Sequence, residues 1–188
     1  MTLSRSQPLP RNGDIVFQEP RSNQSRAIQL VTGSRYSHTG IVYLRDGRPL
    51  VFEAAGQVTS TPLDEWVARG RDSHFVVKRL DDAATRLNPE ALQNMLAVGR
   101  SFDGKLYDLH FEWSDDRISC SELVWKIYHR ALGIELSEPE TIADFELDHP
   151  DVRGIVRSRW PAGPPPDQPV VSPTAIFGSQ YSVVVFEE

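Results

Sequence analysis

The chain has 188 residues, with 20 Lys and Arg against 26 Asp and Glu, a formal net charge of −6 and a pI near 5.4. A surface that tracks nucleic-acid phosphates shows as clustered Lys and Arg and a basic pI, so the acidic balance argues against that class. At 39% hydrophobic residues the chain can fill one core, and a single domain over residues 1–188 is expected. The apolar runs, such as Val183 to Phe186, fall far short of the roughly 20 residues that cross a bilayer. The opening Met1 to Pro10 holds no apolar stretch of the kind a secretory signal needs, so a cytosolic location is expected.

In chain order, Asp14 to Gln18 reads as a short strand after the turn signal Asn12-Gly13. Ser25 to Thr32 reads as a helix with Ala27, Ile28, Leu30 and Val31 on its apolar side and Gly33 as its stop. His38 to Leu44 is β-branched, and Arg45-Asp-Gly-Arg48 turns it into a second strand, Leu50 to Ala54, paired antiparallel with the first. Thr61-Pro-Leu-Asp64 predicts a cap, a proline at the first helical position and a short helix to Ala68. His74 to Leu80 reads as a strand, and Asn88-Pro-Glu opens a helix through Val98. The longest helix starts near Cys120, carries Leu123, Val124, Ile127, Tyr128, Ala131 and Leu132 on one face, and ends at Gly133. Pro161 to Pro169 reads as an extended surface segment that delivers a final strand ending at Phe186. The class is α+β, a small antiparallel sheet with helices packed against it.

Cys120 is the single cysteine, so it acts as a thiol and not in an intrachain disulfide. A helix N-terminus favours the thiolate, which is the nucleophilic form, and its free N–H groups can hold an oxyanion. The alternative is a small buried hydrophobe. A nucleophile needs a base. Of the five histidines, His129 lies nine residues along the same helix and cannot reach the sulfur, His149 belongs to a polar turn, and His74 precedes an apolar strand. His110 stays open, and His38, beside small residues in Tyr36-Ser-His-Thr-Gly-Ile-Val42, is the best choice.

If the hairpin closes on Asp46-Gly47, Val42 faces Val51 and Gly40 faces Glu53, which makes Glu53 the diagonal, same-face neighbour of His38. A carboxylate there fixes the imidazole tautomer and stabilises the imidazolium; the alternative is a solvent-facing strand acid. The acidic run Glu112, Asp115 and Asp116 reads as a solvated loop or a selector of cationic substrates, and Trp113, Trp125 and Tyr128 as core or cleft lining. No P-loop or His-Glu-x-x-His helix is present, nothing in the spacing of His38, Glu53 and His110 asks for a metal, and no cofactor is expected.

These segments, with Asn12 to Gln18, Val51 to Ala54, Gly104-Lys-Leu-Tyr-Asp108 and Cys120-Ser-Glu-Leu-Val-Trp-Lys-Ile-Tyr128, together resemble the circularly permuted branch of the NlpC/P60 papain-like superfamily, the YiiX/YebB-like cysteine hydrolases. In that branch the histidine strand precedes the cysteine helix. The resemblance implies Cys120 as nucleophile, His38 as base and Glu53 as the residue orienting it, with Tyr107 helping the Cys120 N–H to hold the oxyanion. Ser119-Cys-Ser-Glu122 departs from the unpermuted Asp-Cys-Ser-Gly pattern. The resulting expectation is a hydrolase of amide, peptide or ester bonds working through a thioester acyl-enzyme on a small-molecule, peptide or lipid-amide substrate. The other readings are a lipid acyltransferase or phospholipase similar to lecithin retinol acyltransferase, which requires an apolar acyl channel, and a non-catalytic binding module.

Overall fold

The structure is a computed structural model that describes residues 10–188; most of the stretch read above for a secretory signal lies outside the described residues. The first half of the chain runs β1 (Ile15–Pro20), α1 (Asn23–Thr32), β2 (His38–Arg45), β3 (Arg48–Ala55), β4 (Gln57–Pro62), α2 (Leu63–Arg69) and β5 (Gly70–Leu80). It continues through α3 (Ala83–Arg86), α4 (Pro89–Arg100), α5 (Cys120–Leu132), β6 (Glu140–Thr141), α6 (Pro150–Arg159), β7 (Pro169–Val170), α7 (Pro173–Phe177) and β8 (Ser182–Glu187). Six strands form one antiparallel sheet in the order β4-β3-β2-β1-β5-β8, and β6 and β7 pair separately.

Strand alternation divides the core in two. Ile15 and Phe17 of β1 join Ile41, Phe52 and Val76 on the face covered by α5, where Leu123, Val124 and Ile127 meet them. Val16 points the other way and packs with Val42, Val51, Phe75 and the α2 residues Leu63 and Trp66. Both faces of the central strands are therefore buried, which is why they read as near-continuous apolar runs. The buried Asp14 carboxylate takes two hydrogen bonds from Arg79, at 2.7 Å each, tying the entrance of β1 to β5. The Tyr128 hydroxyl donates to the Gly13 carbonyl and fixes α5 to the same corner.

The hairpin between β2 and β3 closes in the register the sequence predicts, with Val42 opposite Val51 and Leu44 opposite Pro49. Asp46 and Gly47 both take positive φ, 52° and 75°, the geometry of a two-residue turn whose twist matches the strands. Tyr181 to Phe186 forms the expected terminal strand as β8, although β7 and α7 intervene between it and the proline-rich run.

Two segments differ from the expectation. Thr61 and Pro62 end strand β4 and do not cap a helix: Thr61 lies opposite Val51 in the ladder, and α2 begins at Leu63 with no side-chain cap. The hydroxyl of Thr61 donates instead to the buried Glu53 carboxylate at 2.6 Å, a charge-assisted bond stronger than a neutral one. The polar run around His149 forms α6; His149 caps it by accepting from the Asp151 amide at 3.2 Å, and Pro150 sits in its first turn. Its weak apolar pattern hid it.

Gly40 leaves no room for a side chain between β2 and β3. A Cβ there would lie 2.8 Å from the Phe52 carbonyl oxygen and 2.5 Å from a Val51 methyl. Gly40→Ala therefore forces the ladder apart at the point where it aligns His38 with Glu53. Overpacking of this kind costs roughly 1 to 3 kcal/mol. Thermal unfolding of the variant is expected to show a Tm lower by several degrees.

Candidate active site

Capping places the thiol. The Ser119 hydroxyl accepts from the Glu122 amide at 3.4 Å while the Glu122 carboxylate accepts from the Ser119 amide at 3.3 Å, a reciprocal cap that starts α5 at Cys120. The sulfur is buried, 2% exposed, at the positive end of that helix. Glu122 also forms an ion pair with Lys126 at 2.7 Å, so the departure at Ser119-Cys-Ser-Glu122 belongs to the helix architecture.

His38 opens β2, and its Nε2–H donates to Glu53 Oε2 at 2.5 Å. That bond leaves Nδ1 as the ring nitrogen available to the thiol, and the imidazole and thiol lie close enough that each shifts the other's pKa. The diagonal pairing expected from the hairpin register is therefore present. Glu53 has no exposed surface, and its carboxylate collects three further donors: Thr61 Oγ1–H at 2.6 Å and Arg69 on Oε1, and Trp66 Nε1–H at 3.0 Å on Oε2. The Trp66 ring also lies near-parallel to the imidazole, 6.0 Å away.

Burial alone would raise the Cys120 thiol, but the bond and charge of His38, the Thr39 backbone N–H and the Tyr107 hydroxyl together bring it below its ordinary value. Burial likewise disfavours the imidazolium, yet the thiolate and Glu53 outweigh it and raise His38 to about 9. For Glu53, burial is again opposed, by His38, Thr61 and Arg69, and its pKa falls to about 2. All three shifts favour a thiolate-imidazolium pair backed by a carboxylate.

The loop before α5 brings in Tyr107. Its amide bonds to the Gly56 carbonyl at 2.8 Å and it bridges Ile118, two residues from the thiol. Burial, and next the charge of Cys120, push the Tyr107 hydroxyl well above its usual pKa, so it stays a donor.

The remaining histidines lie elsewhere. His129 stacks on Trp125, His74 on Tyr36, and the exposed His110 meets Trp160 edge-on. Asp115 of the acidic run pairs with Lys126 and Arg130, and Trp113 packs against Trp125. Sequence reasoning missed Thr61, Trp66 and Arg69. A buried carboxylate demands more than one donor, and Trp66 and Arg69, three apart on one face of α2, follow from that demand once Glu53 is placed inside.

Two clefts meet here. One reaches Cys120 and is lined by apolar side chains including Ile28, Val31, Ile142, Val152, Val156 and Val171. The other lies on the His38 side, with Ser37, Arg69 and Arg117 in its wall. Gln24, Ile28 and Tyr107 border both.

An antiparallel sheet bearing the imidazole, followed in sequence by a helix bearing the thiol at its N-terminus, is the arrangement of a permuted papain-like protein. Residues 10–185 match the family described as permuted papain-like amidase enzymes, YaeF/YiiX, C92, and the chain belongs to that family. It is 42% identical over 179 residues to the uncharacterized protein YiiX of Escherichia coli strain K12, covering 95% of this chain and 87% of that protein. The crystal structure of metalloprotein yiiX from Escherichia coli O157:H7 matches with a TM-score of 0.90 at 42% identity, over 95% of this chain and 98% of that one. The chain is thus a cysteine hydrolase at the level of its family. Among the described residues, no helix is long and apolar enough to cross a membrane.

Iodoacetamide alkylation of Cys120 is expected to remain fast at pH 6 and to shift in His38→Ala toward the profile of a free thiol, near 8.5. A wild-type profile that already follows a free thiol would sink the ion pair. A lowered folded pKa makes Glu53 stabilising above its unfolded value, with the contribution lost as pH falls toward about 2. His38, raised to about 9, stabilises fully below its unfolded value of 6.5 and loses that contribution as pH rises through 9. The Tm deficit of Glu53→Gln should therefore be largest near neutral pH and shrink on acidification.

Proposed function

We propose that Cys120, His38 and Glu53 hydrolyse an amide or ester bond whose acyl group is apolar. The observation that carries this reading is the position of the thiol, beside His38 and in the wall of an apolar cleft.

In this mechanism the Cys120 thiolate bonds to the acyl carbon, and the carbonyl π pair moves to oxygen, where the Cys120 N–H and the Tyr107 hydroxyl receive it. When the carbonyl re-forms, the bond to the leaving group breaks and His38 gives that group its proton. Water then attacks the thioester, His38 takes a proton from it, and the carboxylic acid departs as the thiolate is restored. Glu53 holds the imidazole in one orientation and balances its positive charge throughout.

The apolar cleft also meets the requirement of the acyltransferase reading. The two reactions share the acyl-enzyme and differ in whether water or another nucleophile resolves it. The metal named for the solved relative is not carried over to this mechanism. Among the described residues no group of three His, Cys, Asp or Glu side chains converges, and both Glu53 oxygens and His38 Nε2 are already engaged in hydrogen bonds.

A series of 4-nitrophenyl esters from acetate to dodecanoate tests the reading. The expected result is kcat/KM rising with chain length, with acyl adducts on Cys120 in intact-mass spectra and none in Cys120→Ala. A flat or falling series, with acetate as good as dodecanoate, removes the apolar acyl group from the proposal.

A further inference from the structure

The second cleft has a charge that the rest of the chain does not predict. The protein carries a net charge of −6, yet this cleft contains Arg69 and Arg117 and no Asp or Glu in its lining. Arg117 is exposed and, among the described residues, has no carboxylate partner, whereas the other arginine of the cleft is tied to Glu53. Arg69 is half-exposed and holds Glu53 through one terminal nitrogen, which leaves guanidinium donors for a ligand in the cleft.

Acyl transfer gives the two clefts separate tasks. The group that departs takes its proton from His38, so it lies on the imidazole side, in the cleft that His38 lines. The acyl group stays bonded to sulfur and lies in the apolar cleft. We propose that the leaving group is anionic, carrying a carboxylate or phosphate that Arg117 and the free face of Arg69 bind. This rests on the hydrolase reading above and adds the chemistry of the second half of the substrate. A cleft of one sign with low-dielectric walls focuses its field on an incoming ligand, so an unpaired arginine there acts on both encounter and orientation.

Dodecanoyl esters of 4-hydroxybenzoate and 4-hydroxybenzamide differ in leaving-group charge at nearly constant shape. The expected kcat/KM ratio favours the benzoate by roughly ten-fold or more at low salt and falls as salt is added. Arg117→Gln, which touches neither Cys120 nor Glu53, should lower that ratio several-fold by slowing the benzoate ester more than the benzamide ester, with Arg69 keeping part of the preference. The ester of 4-hydroxyphenyl phosphate, run beside the benzoate, shows which anion is preferred. A wild-type ratio near one, or a ratio that Arg117→Gln leaves intact, overturns the anionic leaving group while the hydrolase reading stands. If no ester acylates Cys120, the hydrolase reading falls and takes this proposal with it.

A separate observation concerns Gln24, which sits in the first turn of α1 and borders both clefts. Its Oε1 accepts a hydrogen bond from Arg159 of α6, which fixes the orientation of the amide. Its Nε2 is buried with no hydrogen-bond partner, although it adjoins the Tyr107 hydroxyl closely enough to favour the ionised phenol. An orphaned donor costs free energy unless something arrives to accept from it. We infer that the Gln24 amide is a further donor to the oxyanion, beside the Cys120 N–H and Tyr107.

Gln24→Met keeps the length of the side chain and removes the donor. Loss of one oxyanion donor typically lowers kcat by about 10²- to 10³-fold. That loss is expected on the ester probes, with the iodoacetamide profile of Cys120 unchanged, because alkylation builds no oxyanion. The Tm should hold or rise, since the variant no longer buries an unpaired N–H. An unchanged kcat, or a parallel loss of alkylation and stability, assigns Gln24 to structure and overturns the role.

Discussion

A carboxylate with no exposed surface, set in the middle of a sheet, is tolerated only if its oxygens are fully engaged, and much of this fold is arranged around that requirement at Glu53. The four donors come from three elements: His38 from β2, Thr61 from β4, and Trp66 and Arg69 from α2, with β3 supplying the acid itself. Glu53 stands opposite Thr59, so Thr61 is its diagonal neighbour on one flank as His38 is on the other. The short helix α2 has no side-chain cap. Its place is set by Leu63 and Trp66 in the core and by the bonds of Trp66 and Arg69 to the carboxylate.

The charge held at Glu53 has its effect one step away. A carboxylate kept ionised raises the imidazole, and the imidazolium lowers the thiol, so the sheet and α5 are coupled through His38. The helix N-terminus adds to the same preference. A second carboxylate, Glu122, sits in the first turn of α5 and would oppose the thiolate if it were fully charged. Burial raises Glu122 to about 7 against the pull of Lys126, which reduces that opposition near neutrality. The capping box thus positions the helix without cancelling its electrostatic contribution.

The sheet and the placement of His38, Glu53 and Cys120 were legible in the sequence because each depended on local rules. Asp46-Gly47 fixes the hairpin, the hairpin fixes the diagonal of His38 and Glu53, and a serine cap with a glycine stop fixes α5. The supporting donors were hidden because they are answers to burial, and burial is a tertiary fact. Thr61-Pro62 carried a valid helix-start signal, and the carboxylate and the β3 ladder overrode it. The helix α6 was hidden for the opposite reason: three arginines and one aspartate stand along a ten-residue segment with little apolar content, so it lacks the stripe by which a packed helix is read.

That polar helix belongs to a part of the fold set apart from Cys120, His38 and Glu53. The ladder, α2 and α5 place sulfur, imidazole and carboxylate, and none of them forms most of the apolar cleft. Its walls come from α1, the Ile142 turn, α6 and the approach to α7, elements joined by few regular hydrogen bonds. α6 is bound to α1 through Arg159 and Gln24, and Val152, Ile155 and Val156 supply its apolar edge to the cleft. The proline-rich run closes this region from outside by accepting backbone bonds from Ile142 and Ala143, and Gln168 donates to the carbonyls of His110 and Phe111. Changes in this half of the chain can therefore reshape what the thiol meets without touching the bond of His38 to Glu53, and the side chains that border both clefts, Gln24, Ile28 and Tyr107, are few.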